Sequence, residues 1–151
     1  MNYNLLMDLA TDLGYELAMA GAETFRVEES VTRLLCAYEM DSDVFSTPNY
    51  ILITIRKKDG TPITRMRRIP PHGNNMDSVE KFSNLSRKIV TQKPSLEECH
   101  QWIRDTRKLC RCYSKKMQYL GYFIGAGGFG LFMGGTWIDG ICAGLCGLAA
   151  G

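Results

Sequence analysis

The last third of this chain carries most of its glycine and almost none of its charge. Eleven of the fifteen glycines lie between Gly121 and Gly151. From Met117 to the last residue, Asp139 is the only carboxylate side chain, and there is no lysine or arginine. A soluble domain has no evident reason to end this way, whereas small residues let membrane helices approach closely. Directly before this run comes a basic stretch made of Arg104, Arg107, Lys108, Arg111, Lys115 and Lys116. Lysine and arginine mark the cytoplasmic flank of a span. The pattern predicts a cytoplasmic head over residues 1–115, then a first transmembrane helix and a truncated second one over 116–151.

The head holds nearly all the charge. Residues 1–116 contain all eighteen basic residues and fifteen of the sixteen acidic ones, a formal balance of +3. That excess is too weak for a nucleic-acid surface, so no nucleic-acid partner is expected. A head of this length can bury a real core. The N-terminus carries Asp8, Asp12 and Glu16 inside its first helical pattern, which excludes a secretory signal. None of the six cysteines forms a C-x-x-C pair, and Cys110 and Cys112 are too close for a tetrahedral knuckle. Reduced cytosolic thiols are expected, with no metal site and no cofactor. The second apolar stretch, Thr136 to Gly151, is sixteen residues long and stops with no polar cap. A spanning helix needs about twenty, so the sequence is expected to be a fragment of a longer membrane protein.

Periodicity organises the head into α+β elements. Leu6, Leu9, Leu13 and Leu17 predict a helix over 3–20, closed by Gly21. A second stripe, Ala10, Gly14, Ala18 and Ala22, lets a neighbouring element pack close. Val27, Val31, Leu34, Leu35 and Tyr38 predict a helix over 25–39, with Thr24 as N-cap and Glu29–Arg33 as an i,i+4 pair. Asp43–Thr47, Tyr50–Arg56 and Pro62–Arg68 read as a three-stranded antiparallel meander. Val79, Phe82, Leu85 and Ile89 define a helix over 76–91, and Ser95 with Glu98 forms a capping box for a fourth. That helix is expected to run toward, or continuously into, a membrane helix at about 115–134. Gly121/Gly125, Gly130/Gly134 and Gly140/Gly144 repeat the G-x-x-x-G spacing of close helix packing.

Several polar groups admit two readings each. Glu23, Thr24, Arg26 and Glu28 form either a substrate-binding or gating cluster at the helix–helix turn, or a capped helix start with an internal ion pair. Arg65 and Arg67 should share one strand face, with Arg68 opposite. They would attract an anion, or simply solvate and protect an edge strand. His72 stands alone in a Pro/Gly/Asn loop and reads as a surface residue. Ser83, Asn84 and Ser86 share a helix with Arg87, but no G-x-S-x-G turn accompanies them, and His100 and Asp105 complete no triad, so no catalytic residue is expected. Asp139 is either an intramembrane carboxylate that carries a proton or holds an ammonium group, or part of a water-exposed turn between spans.

The stretch Gly21-Ala22-Glu23-Thr24-Phe25-Arg26-Val27-Glu28-Glu29 resembles a signature of the threonine/serine exporter family. Further stretches match in the right order: Phe45-Ser46-Thr47-Pro48, the basic strand Thr64 to Ile69, Asn84-Leu85-Ser86-Arg87-Lys88-Ile89, Ser95-Leu96-Glu97-Glu98, and Gly134-Gly135 with Asp139. The resemblance implies an integral, multi-pass transporter of the inner or plasma membrane. Its head would be cytoplasmic, its cargo a small amino acid such as threonine or serine, and its drive the proton gradient. Membrane lipid, and either a second membrane subunit or a homo-oligomer, are the implied partners. It also leaves an alternative, a regulatory or assembly subunit of a two-component exporter of dicarboxylates such as succinate, with no substrate site of its own. The residues expected to bind substrate or couple transport are Asp139, Glu23, Thr24, Arg26, Glu28 and Arg87.

Overall fold

A computed structural model describes residues 2–111 and 113–151. Asn2 opens the first helix, α1 (Tyr3–Met19), by accepting a hydrogen bond from the Leu5 amide at 3.2 Å. Its leucine stripe is fully buried, as the spacing predicts. At its end Gly21 takes φ +82°, the Gly21 amide bonds the Ala18 carbonyl, and the Ala22 amide bonds the Leu17 carbonyl. These paired reverse bonds satisfy the last orphan carbonyls of the helix.

The chain turns at once into α2 (Thr24–Ala37), whose Val27, Val31, Leu34 and Leu35 are buried. Thr24 is the first helical residue and not the cap. Glu23 holds the cap position and makes no side-chain cap bond. The small stripe of α1 explains how tightly these elements meet. A Cβ at Gly14 would lie 2.4 Å from Ile51 Cδ1 and 3.0 Å from Val31 Cγ2.

Strands β1 (Ser42–Ser46), β2 (Tyr50–Arg56) and β3 (Pro62–Arg68) form an antiparallel meander in the order β1-β2-β3. Ile51, Ile53 and Ile55 are fully buried, with α1 lying on β2 and β3 and α2 on β1. Their register partners are Arg67, Arg65 and Ile63, so the two arginines share the inner face and Arg68 lies on the outer one. Arg65 pairs with Asp8 and Arg67 with Asp12, while Glu16 takes Arg107 from the fourth helix. The acidic i,i+4 row on α1 is thus a brace. The Arg67 guanidinium also lies 3.7 Å from the centroid of the Tyr15 ring. The two facing strand arginines are neither a free anion site nor a merely solvated edge.

Helix α3 (Met76–Gln92) packs on α1 and α2, and α4 (Leu96–Leu109) on α1 and α3, neither of them on the sheet. The expected capping box is present: Glu98 accepts from the Ser95 amide at 3.0 Å, and Ser95 Oγ from the Glu98 amide at 3.3 Å. Phe82 and Ile89 of α3, and Cys99 and Ile103 of α4, complete the core. The Tyr38 hydroxyl donates to the Pro94 carbonyl at 2.8 Å and lies 3.2 Å from Cys99 Sγ. Burial pushes both the phenol and the thiol above their ordinary pKa.

The fourth helix does not continue into the next. It stops at Leu109, and Ser114 caps a new one, α5 (Lys115–Phe132), followed by α6 (Trp137–Ala150). The chain divides into two compact units, Met1–Arg111 and Cys112–Gly151. In the second, Gly134 at φ +93° reverses the chain between α5 and α6. Contacts run antiparallel. A Cβ at Gly127 would meet the Gly140 carbonyl oxygen at 2.9 Å, one at Gly130 the Ala143 Cβ at 3.2 Å, and one at Gly144 the Phe123 ring at 2.7 Å. Large apolar side chains point outward: Phe132, Trp137 and Ile138 are 81%, 79% and 74% exposed. Among the described residues, no helix is long and apolar enough to cross a membrane. At about 1.5 Å per residue, α5 reaches roughly 27 Å and α6 roughly 21 Å, against a hydrocarbon layer of about 30 Å. Glycine and the Lys115-Lys116 start also dilute the hydropathy of α5.

Candidate functional site

The six candidate residues do not form one site. Glu23, Arg26 and Arg87 line a pocket of roughly 260 Å³ between α2 and α3. Its wall on α2 repeats at helical spacing, with Arg26, Glu29, Ser30 and Arg33 on one face. The opposite wall comes from Ser83, Ser86 and Arg87 on α3. The two walls meet where the Ser86 hydroxyl donates to the Ser30 carbonyl at 3.5 Å. Small side chains at 30, 83 and 86 leave the gap that long residues would fill.

Charge in this pocket is not balanced internally. Arg33 is paired with Glu29 at 2.5 Å. Arg26 and Arg87 have no carboxylate partner among the described residues, so the ion pair expected within the Glu23–Glu28 cluster is absent. The Ser83 hydroxyl is buried and makes no hydrogen bond. A buried polar group without a partner is unusual and calls for an explanation.

Thr24 and Glu23 border a second pocket, of roughly 220 Å³, at the α1–α2 turn. Its other walls include Ser46, Thr47, Pro48, His72 and Asn74. The signature turn, the polar strand end and the Pro/Gly/Asn loop therefore converge. The Asn75 amide bonds the Ala20 carbonyl at 2.8 Å, which pins the loop to the turn. His72 is exposed, its Nδ1 3.0 Å from the Pro70 carbonyl. Glu28 belongs to neither pocket. It accepts from the Ser46 amide at 2.8 Å and ties α2 to the end of β1.

Asp139 lies in the second unit. Its Oδ2 accepts from the Thr136 amide at 2.8 Å and from the Thr136 hydroxyl at 2.7 Å, closing a capping box at the start of α6. Among the described residues, no three His, Cys, Asp or Glu side chains gather in a way that could hold a metal ion. The serines of α3 were visible in sequence only as residues lacking a catalytic base. Their i,i+3 spacing opposite Arg26 and Arg33 acquires meaning once α2 and α3 are known to pack.

A charged α+β unit with small pockets is followed by a glycine-packed helical hairpin with an apolar exterior. A family profile described as "Putative threonine/serine exporter" matches residues 8–151. The chain belongs to the threonine/serine exporter family. No curated protein and no solved structure matches it. Membership assigns the chain to a transporter family, with a small-molecule cargo and a membrane setting.

Proposed function

We propose that this chain serves in the export of small amino acids, threonine and serine first, driven by the proton gradient. The observation that carries the reading is the family match over 8–151, which spans both the charged unit and the charge-free hairpin. In this reading the first unit is a cytoplasmic head, flanked by the basic run from Arg104 to Lys116. The α5–α6 hairpin is a membrane element. Its exposed aromatic and aliphatic side chains would meet lipid and further helices, which supplement two helices that are individually short.

Asp139 contributes as the cap of α6 in this reading. Its bonds to Thr136 support that role over titration in a proton relay. Labelled threonine and serine efflux from loaded cells expressing the complete gene tests both points. Efflux is expected to depend on the gene and on the proton gradient, and to survive Asp139→Asn, which keeps an acceptor but cannot titrate. Loss of efflux in Asp139→Asn, with the protein present in the membrane, would assign the carboxylate to coupling instead.

The outward apolar face of the hairpin also fits a second membrane subunit, as in a two-component exporter of dicarboxylates. Gene-dependent efflux of succinate only when a partner gene is supplied would favour that assembly. Threonine efflux from this gene alone would rule it out.

A further inference from the structure

The α2–α3 pocket of the head has the parts of a zwitterion site. Three guanidinium groups and two carboxylates line it, and Glu29 is already occupied by Arg33. That leaves Arg26 and Arg87 positive and Glu23 negative. Pairs of guanidinium groups grip a carboxylate through several charge-assisted hydrogen bonds. The pocket, roughly 260 Å³, has room for a molecule the size of threonine.

We propose that this pocket binds a free small amino acid, with its carboxylate on Arg26 and Arg87 and its ammonium on Glu23. The choice of cargo rests on the exporter reading above, while the polarity of the site rests on the lining residues alone. Every lining residue belongs to the first unit, so this is a ligand site of the head in its own right. Glu23 is the specificity element. A dicarboxylate would place its second carboxylate against Glu23, and like charges repel. Arg33 acts as a positioning residue that holds Glu29 away from the ligand.

Isothermal titration of the purified full-length protein in detergent provides the test, with L-threonine, L-serine, succinate and inorganic phosphate as probes. Threonine and serine are expected to bind more tightly than succinate or phosphate. Arg26→Gln and Arg87→Gln should each weaken threonine binding by roughly tenfold or more, the worth of a charge-assisted contact. Glu23→Gln should weaken threonine and strengthen succinate, a crossover that mere loss of folding would not produce. Arg68→Gln, on the outer sheet face, should leave all four affinities unchanged. Threonine affinity indifferent to Arg26, Arg87 and Glu23 overturns the proposal, as does wild-type preference for succinate or phosphate. Efflux measurements separate the two readings. Arginine-dependent threonine binding without any threonine efflux would retain the pocket and remove the exporter reading. Threonine efflux from a protein whose affinity ignores these residues would do the reverse.

Discussion

Gly21 shows how one residue can carry two constraints. Its φ of +82° belongs to the left-handed region, where a side chain is strained. Space forbids one as well: a Cβ there would sit 2.3 Å from Asn74 Oδ1 and 3.1 Å from the Asn74 Cα. Gly21→Ala is therefore expected to destabilise the head by about 1–3 kcal/mol. Urea unfolding followed by Trp102 fluorescence in a Trp137→Phe background would measure it, and an unchanged midpoint would refute the argument. The need for glycine after the leucine stripe was legible in sequence, because helix termination is a local event. The crowding by Asn74 was not, since Asn74 arrives from a loop after the sheet. Thr24 shows the opposite error. A threonine just before an apolar period is a good cap by composition, but the turn after Gly21 places Glu23 one position earlier at the helix start.

At the scale of elements, the hairpin of α5 and α6 depends on backbone approaching backbone. Gly127, Gly140, Gly144 and Gly147 lie at the crossing, where added methyl groups would strike a carbonyl oxygen at 127 and 147, the Leu131 side chain at 140 and the Phe123 ring at 144. The geometry predicts a specific cross-link. The Cβ positions of residues 130 and 143 lie 3.2 Å apart, close to the roughly 3.5–4.5 Å of a disulfide. Gly130→Cys with Ala143→Cys, in a background lacking the native cysteines, should oxidise readily. Adding Gly144→Leu should suppress the cross-link, because the leucine must displace Phe123. Equal yields with and without the leucine would show that the helices are held by something other than this packing. The sequence announced the small-residue spacing but could not assign partners, since G-x-x-x-G specifies a face and not what lies opposite it. The same limit applied to α4. Its start at Ser95 was visible in a four-residue box, but its stop before α5 has no comparably strong local signal.

Across the whole molecule, charge is segregated into the head, where only part of it is paired. Asp77 bridges distant parts of the first unit, accepting from Lys81 at 2.6 Å and from the Arg111 amide at 3.0 Å. The Lys81 ammonium first, and then the Arg111 amide, hold its carboxyl below the ordinary carboxylate range. Asp105 is held low by the Gln101 amide and then by Lys108. For groups depressed in the folded state, the unfolded chain binds more protons as the medium is acidified. Their contribution is complete above the unfolded value of about pH 4 and disappears as pH falls through the folded one. The unfolding midpoint of the head should change little on these groups' account from neutrality down to about pH 5 and fall below about pH 4. Asp77→Asn should flatten part of that acid slope. An identical acid slope in the variant would show that Asp77 plays no such part.

The sequence by itself determined most of the elements and where the charge ends. Helix periods, caps and turn residues act within a few positions, and the loss of charge after Lys116 needs no tertiary information to be seen. It also supported the family, through short motifs in order. Only the tertiary structure decided what the polar residues do. It gave Arg65 and Arg67 to the acidic row of α1, Glu28 to the end of β1 and Asp139 to the cap of α6, while bringing Arg26 and Arg87 to one pocket. The reason is physical. Hydrogen bonds along a helix are local, but the distance between two side chains on different helices is set by how their buried faces pack, and that depends on the whole core.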